Sequence, residues 1–201
     1  MKTIICDIDG TLTNLWPIEK KILSCLLPKE TFDCIEKLKR SGVSETYLIY
    51  RKIANIQITK KVYRKKYNKM FEQLWEKELL PPIEKFPLAD WVLSNQQYQY
   101  VYTTGGQQAE TLYALEQLGI LQLFDIQNSI DKTRYPFSKK TGLPFKKILK
   151  KYQDCILVTD SRSDCEGAKK VGMFYVLVKP GVTVSQLEKK LGKYVYLGAQ
   201  R

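Results

Sequence analysis

Four aspartates, a threonine and two adjacent lysines carry the chemistry this sequence can do. Asp7 and Asp9 stand two positions apart in Asp7-Ile8-Asp9-Gly10-Thr11-Leu12-Thr13, directly after the apolar run Thr3-Ile4-Ile5-Cys6. Asp160 follows Cys155-Ile156-Leu157-Val158-Thr159, and Asp164 comes one helical turn later. Thr104-Gly105-Gly106 closes a third such run just before a helical pattern, so a hydroxyl and backbone N–H groups meet the positive end of a helix dipole. That combination favours an anion such as phosphate. Between these runs lies Ser138-Lys139-Lys140, a source of positive charge. Gathered at one edge, the carboxylates would repel one another without a cation. Oxygen ligands of this kind suit Mg²⁺, which takes few carboxylates and keeps several waters.

Composition removes the competing chemistries. None of the 201 residues is histidine, which excludes Ser-His-Asp and Cys-His nucleophile pairs, His-ligated zinc and imidazole proton shuttles. Carboxylates or lysines must therefore move the protons. The 33 Lys and Arg against 21 Asp and Glu leave a formal charge of +12, which invites a nucleic-acid reading centred on Lys60-Lys61-Val62-Tyr63-Arg64-Lys65-Lys66-Tyr67-Asn68-Lys69. A solvated helix explains that run better: Tyr63, Tyr67, Met70, Phe71 and Leu74 recur at helical spacing while Lys61, Lys65 and Lys69 line another side. No apolar run approaches the roughly twenty residues that span a bilayer. Five cysteines without a Cys-x-x-Cys pair fit reduced core thiols of a cytoplasmic protein.

Positioning the acids requires a scaffold that brings distant stretches together. In open α/β sheets, ligands bind beyond the carboxyl ends of the strands, where these acids fall. Thr3–Ile8, Tyr98–Thr103, Leu123–Ile126, Cys155–Thr159 and Phe174–Val178 read as strands, nearly continuous in apolar character as doubly covered parallel strands require. Helical patterns alternate with them over Gln107–Leu118, Pro144–Lys151, Asp164–Val171 and Val184–Leu191, with Gly119, Gly172 and Gly192 as stops. The alternation predicts an α/β fold, a Rossmann-like parallel sheet core. Leu15–Lys85 breaks the rhythm with helical patterns interrupted at Pro28, Ser41-Gly42 and Pro81-Pro82, and reads as an inserted all-α domain. The expected division is 1–14 with 86–201 for the core and 15–85 for the insertion. Tyr194–Leu197 reads as a short last strand.

Asp7-x-Asp9-Gly10-Thr11-Leu12-Thr13 resembles the first motif of the haloacid dehalogenase superfamily, most members of which are Mg²⁺-dependent phosphohydrolases. Thr104-Gly105 resembles the second motif, Lys139 the third through its spacing to Phe145, and Asp160-x-x-x-Asp164 the fourth. The resemblance covers about Met1–Thr13 and Asp90–Gly181, in the family's order. The insertion stands where the family places a helical cap of the C1 type. Three departures from the pattern stand out: Thr159 replaces the usual glycine, Lys140 and Gly142 replace two prolines, and Lys139 has Lys140 as a neighbour that could take its role.

The resemblance implies that Asp7 attacks phosphorus and that Asp9 acts first as acid, then as base. It implies Mg²⁺ held by Asp7, the Asp9 carbonyl and Asp160, with Asp164 helping directly or through water, and phosphate held by Thr104, Gly105 and Lys139 or Lys140. The expected substrate is a small phosphorylated metabolite, and an acidic one, because basic residues outnumber acidic ones between Leu15 and Lys85. A phosphomutase is the second reading, and a non-catalytic or nucleic-acid-binding protein on this fold the third. Two plainer roles stay open beside these. Asp164 could be no more than a helix cap, and Trp16, just past the first motif, no more than core.

Overall fold

The computed structural model describes residues 2–43, 45–179 and 182–197. The chain divides into two compact units, one of Met1–Asn14 with Ile83–Arg201 and one of Leu15–Pro82.

In the first unit four strands form a parallel sheet: β1 (Thr3–Cys6), β4 (Gln99–Tyr102), β5 (Cys155–Thr159) and β6 (Phe174–Leu177), in spatial order β4-β1-β5-β6. Every residue of β1 and β5 is buried, which is why their sequences lack the polar alternation of a half-exposed strand. On one face Ile5, Val101 and Leu157 pack with Ile130, Phe145, Ile148, Ala168 and Met173. Ile4, Cys6, Tyr100, Tyr102, Ile156 and Val158 alternate with these and are buried as well. Register then fixes the functional edge. Cys6 pairs with both Tyr102 and Val158, so the next residues, Asp7, Thr103 and Thr159, stand level at the ends of three adjacent strands.

The helices of this unit are α5 (Pro87–Ser94), α6 (Gln108–Gln117), α7 (Leu143–Leu149), α8 (Arg162–Lys170) and α9 (Val184–Leu197). A two-residue ribbon, β2 (Thr13–Asn14) against β3 (Glu84–Lys85), pairs antiparallel. Glu84 and Lys85 thus pair within the first unit, and the second unit ends at Pro82.

Two expected strands are not strands. Leu123–Ile126 is broken into 3₁₀ turns at Leu121–Leu123 and Ile126–Asn128, leaving single bridges from Phe124 to Tyr100 and from Ile130 to Thr103. The cause is local. Asp125 accepts from the Asn128 N–H at 3.2 Å and from the Asn128 side-chain amide, a closure that competes with a ladder. Tyr194–Leu197 instead continues α9 through Gly192, a position where glycine costs about 1 kcal/mol relative to alanine. Leu187 and Leu191, buried one turn apart, support the helix leading into it.

The second unit is all helical: α1 (Trp16–Leu26), α2 (Phe32–Arg40), α3 (Thr46–Ala54) and α4 (Lys60–Glu76), with a 3₁₀ turn at Lys29–Thr31. Its core includes Ile18, Ile22, Ile35, Ile49, Tyr63, Tyr67, Phe71 and Leu74. Thr59 caps α4 by accepting from the Val62 N–H. Lys61, Lys65 and Lys69 lie exposed on the side opposite the tyrosines, the solvated face read from the sequence. Trp16 is half-buried with the Lys39 ammonium 4.3 Å from its ring centroid. Of the cysteines, all free, Cys25 and Cys34 are exposed rather than in the core. No helix among the described residues is long and apolar enough to cross a membrane.

One close approach ties α8 to the turn that carries the lysines. A Cβ at Gly167 would lie 2.0 Å from the Lys139 carbonyl oxygen and 3.0 Å from the Phe145 ring. Gly167→Ala must therefore push α8 off that turn, and the overpacking is expected to cost about 1–3 kcal/mol. Urea unfolding checks this: the midpoint should fall with little change in slope, and an unchanged midpoint would mean that the turn yields freely.

Candidate active site

Asp7 leaves β1 buried, with its N–H donating to the Val158 carbonyl at 2.9 Å. Its Oδ1 accepts from the Ile8 N–H at 2.9 Å and lies 2.7 Å from Lys139 Nζ. Its Oδ2 accepts from the Thr159 hydroxyl at 3.0 Å. Lys139 also forms an ion pair with Asp164 Oδ2, so one buried ammonium bridges two buried carboxylates from opposite ends of the chain. Burial alone would lower the lysine's pKa, but the two carboxylates outweigh it and hold the ammonium above the ordinary lysine value.

The 3₁₀ turn Lys139–Thr141 sends its two lysines in different directions. Lys139 is almost wholly buried among the acids. Lys140 is exposed and pairs with Glu166 at 3.3 Å, so the structure does not bring it to Asp7. Asp164 is not the cap of α8 either. Ser161 is the N-cap, accepting from the Asp164 N–H, and Asp164 sits in the first turn with its side chain turned inward to Lys139.

Asp160 stands beside the turn that follows Asp7. Thr11 holds it at two points: the hydroxyl donates to Asp160 Oδ1 at 3.3 Å and accepts from the Asp160 N–H at 3.0 Å. Gly10, with φ of +76°, lets the turn come close enough that a Cβ there would lie 2.3 Å from Asp160 Oδ2. Asp9 is exposed on this turn, bridged to Thr13. In the sequence Thr11 is only a hydroxyl one residue after the turn glycine, and the fold shows that it reaches across 149 positions of chain to Asp160.

The threonine pair after β4 divides differently from the sequence reading. Thr104 Oγ1 accepts from the Gly106 N–H at 3.0 Å and its own N–H donates to Ile130, so its hydroxyl closes the turn. Thr103 stands level with Asp7, is fully buried, and its Oγ1 has no hydrogen-bond partner among the described residues. Its carbonyl faces Lys139 Nζ at 3.5 Å. A buried hydroxyl without a partner is costly to leave unmet, so Thr103 is the better candidate to meet an incoming oxyanion. Gly105 is exposed, with open space where a Cβ would stand.

The acids fit a divalent cation. Burial raises the Asp160 carboxyl above the ordinary aspartate value, and the charges of Asp7 and Asp9 raise it further. Lys139 is already engaged by Asp7 and Asp164, so it leaves the Asp160 side of the cluster uncompensated. Among the described residues no three metal-binding side chains converge on one point. Asp7, Asp160 and the Asp9 carbonyl are the oxygen donors at this edge that could hold a divalent ion such as Mg²⁺, which takes few carboxylates and keeps several waters.

The family model for haloacid dehalogenase-like hydrolases matches residues 4–178. No curated protein matches the sequence. Among solved structures, a predicted phosphoglycolate phosphatase from Haemophilus somnus 129pt is similar with a TM-score of 0.65 at 20% identity, over 92% of this chain and 88% of that one. A family IA, variant 3 hydrolase from Entamoeba histolytica gives 0.64 at 17% identity, over 94% and 89%. CbbY from Rhodobacter sphaeroides, in complex with phosphate, gives 0.64 at 14% identity, over 90% and 87%. At these identities the likeness is one of fold. The family match runs from β1 to the end of β6, through the strands that end at Asp7, Thr103 and Thr159, and the chain belongs to the haloacid dehalogenase-like hydrolases.

Proposed function

We propose that the protein is a Mg²⁺-dependent phosphohydrolase that cleaves a small organic phosphate monoester through an aspartyl-phosphate on Asp7. The observation that carries this reading is Asp7 itself: a buried carboxylate at the end of the central strand, charge-paired with Lys139 and flanked by a partnerless hydroxyl. A nucleophile so held is already oriented for attack, and the flanking donors are placed to meet negative charge on the transferring group.

In the first step an Asp7 oxygen forms a bond to phosphorus while the bond to the ester oxygen breaks, and Asp9, as the acid, gives that oxygen its proton. In the second step Asp9, now a carboxylate, takes a proton from water. The resulting hydroxide attacks phosphorus and frees the Asp7 carboxylate with inorganic phosphate. Splitting the displacement in two suits a site whose acids and bases are carboxylates, with no histidine to serve. The exposure of Asp9 suits its part, because a group that exchanges protons with substrate and water must be reachable from solvent. Thr103 would donate to a phosphate oxygen, Lys139 would neutralise charge on another, and Asp164 keeps Lys139 in place.

Mg²⁺ would be held by Asp7, Asp160 and the Asp9 carbonyl, with Asp164 contributing at most through water since its Oδ2 is engaged by Lys139, and it supplies charge neutralisation for the meeting of carboxylate and phosphate. Thr11 and Gly10 serve by fixing Asp160. The Leu15–Pro82 unit is read as the helical cap of the C1 type, and its excess of basic over acidic residues favours an acidic metabolite as substrate.

Phosphate release from a panel of small phosphate esters should appear with Mg²⁺ and vanish with chelator, and Asp7→Asn should lower turnover by about 10⁴-fold or more while the fold persists. Normal activity in that variant would remove Asp7 as nucleophile. With a hexose phosphate, isomerised sugar phosphate in place of free phosphate would favour the mutase reading.

Lys139→Met should lose about 10²-fold or more in turnover and also lose stability, because two buried acids are left without their counter-charge. Lys140→Met should stay close to the parent protein in both assays. Thr103→Val and Thr104→Val make a matching pair: the first should lower kcat by about 10²-fold, the second should act mainly through the loop. Equal effects would return the phosphate contact to Thr104.

A further inference from the structure

The mechanism above assigns no part to Thr159, whose hydroxyl lies in the middle of the site. Thr159 is fully buried at the end of β5, level with Asp7, and its Oγ1 makes three contacts. It accepts from the Ser161 N–H at 3.1 Å, and it lies 3.0 Å from Asp7 Oδ2 and 3.3 Å from Asp164 Oδ2. A hydroxyl has a single proton to give. With both acids ionised each is an acceptor, and only one of them can receive it.

Asp164 Oδ2 already takes the Lys139 ammonium, whereas the hydroxyl is the donor placed on Asp7 Oδ2. The shorter distance and the acceptor's need agree, so the proton goes to Asp7. The other carboxylate oxygen, Oδ1, is held by Lys139 and the Ile8 N–H. Donors thus grip both ends of the carboxylate and fix its plane. Without the hydroxyl, the two remaining donors would share one oxygen, and the group could turn about its Cβ–Cγ bond.

We propose that Thr159 is a positioning residue that locks the Asp7 carboxylate in its attacking orientation. The inference rests on the reading of Asp7 as nucleophile. The Ser161 N–H holds the hydroxyl oxygen from behind, and the β-branched side chain restricts rotation about its own Cα–Cβ bond, so the donor is preset rather than recruited. This is orientation supplied before substrate arrives, and its effect belongs in kcat.

Three variants and two readouts test it. Thr159→Val keeps the shape and removes the hydroxyl, Thr159→Ala removes both hydroxyl and methyl, and Thr159→Ser keeps the hydroxyl. With Mg²⁺ and the best ester of the panel, Val and Ala should lower kcat by about 10- to 100-fold with KM little changed, and Ser should recover most of the loss. The second readout needs no turnover. In urea unfolding, Thr159→Val combined with Asp7→Ala should depart from the product of their separate effects on the unfolding constant by at least about twofold. Equal losses in Ser and Ala, a change confined to KM, or an additive cycle would overturn the proposal. Coupling in the cycle without phosphate release from the parent protein would uphold the contact and overturn the phosphatase reading instead.

Discussion

A lysine ammonium buried between two carboxylates organises this molecule. Lys139 lies between Asp7, at the end of the first strand, and Asp164, in the first turn of α8. Either acid alone in that place would be a buried charge without compensation, and removal of the lysine would leave two. Their partnership therefore depends on the whole core being folded. β1 and β5 must pair in register to bring Asp7 level with Thr159, and α8 must lie close enough to the lysine turn that only glycine fits at position 167. The arrangement is poor as a source of stability and good as a source of position. Each member can be satisfied in one geometry, and that geometry holds a carboxylate still at the mouth of a sheet.

The charge balance on the two sides of Asp7 is what the proposed function relies on to bring an anion and a cation to one edge. On the Lys139 side, positive charge and the Thr103 hydroxyl face the end of β4. On the opposite side Asp160, pinned by Thr11 and closely approached by Gly10, carries negative charge that no lysine among the described residues is paired with. Asp7 belongs to both. In the proposed reading a phosphate oxygen would find donors on one flank, a divalent ion would find oxygen ligands on the other, and the carboxylate between them would be stabilised from each direction.

The strands and acids were legible because burial on both faces of a parallel sheet writes itself as unbroken apolar runs, and an Asp at the end of such a run can hardly be anything but an edge residue. Leu123–Ile126 has the same apolar character yet forms turns, since Asp125 finds a partner three residues away at Asn128 before a neighbouring strand can compete. Position along the chain likewise could not separate Lys139 from Lys140, or Thr103 from Thr104. Each pair differs by one residue, which reverses the direction of a side chain, and the choice is made by register with β1 and by the contact with α8. The partners of Thr11 and Thr159 stay hidden in the sequence for a related reason. A hydroxyl carries no mark of its partner, and both partners lie about 150 positions away, at separations of 149 and 152.

Burial also separates the two acids of the first motif, which the sequence presents as near equals. Asp7 is buried and engaged through both oxygens, while Asp9, two residues on, is exposed on the turn made possible by Gly10. The distinction has a chemical consequence. A nucleophile gains from being held and dry, because fixed donors replace a water shell that would have to be stripped before attack. A group that gives up a proton in one step and recovers it in the next gains from contact with water. In the proposed reading, two carboxylates of the same type would thus take opposite duties from the single turn of backbone between them. The chain has no histidine to share that work, so in the proposed reading acid and base chemistry are divided at this turn.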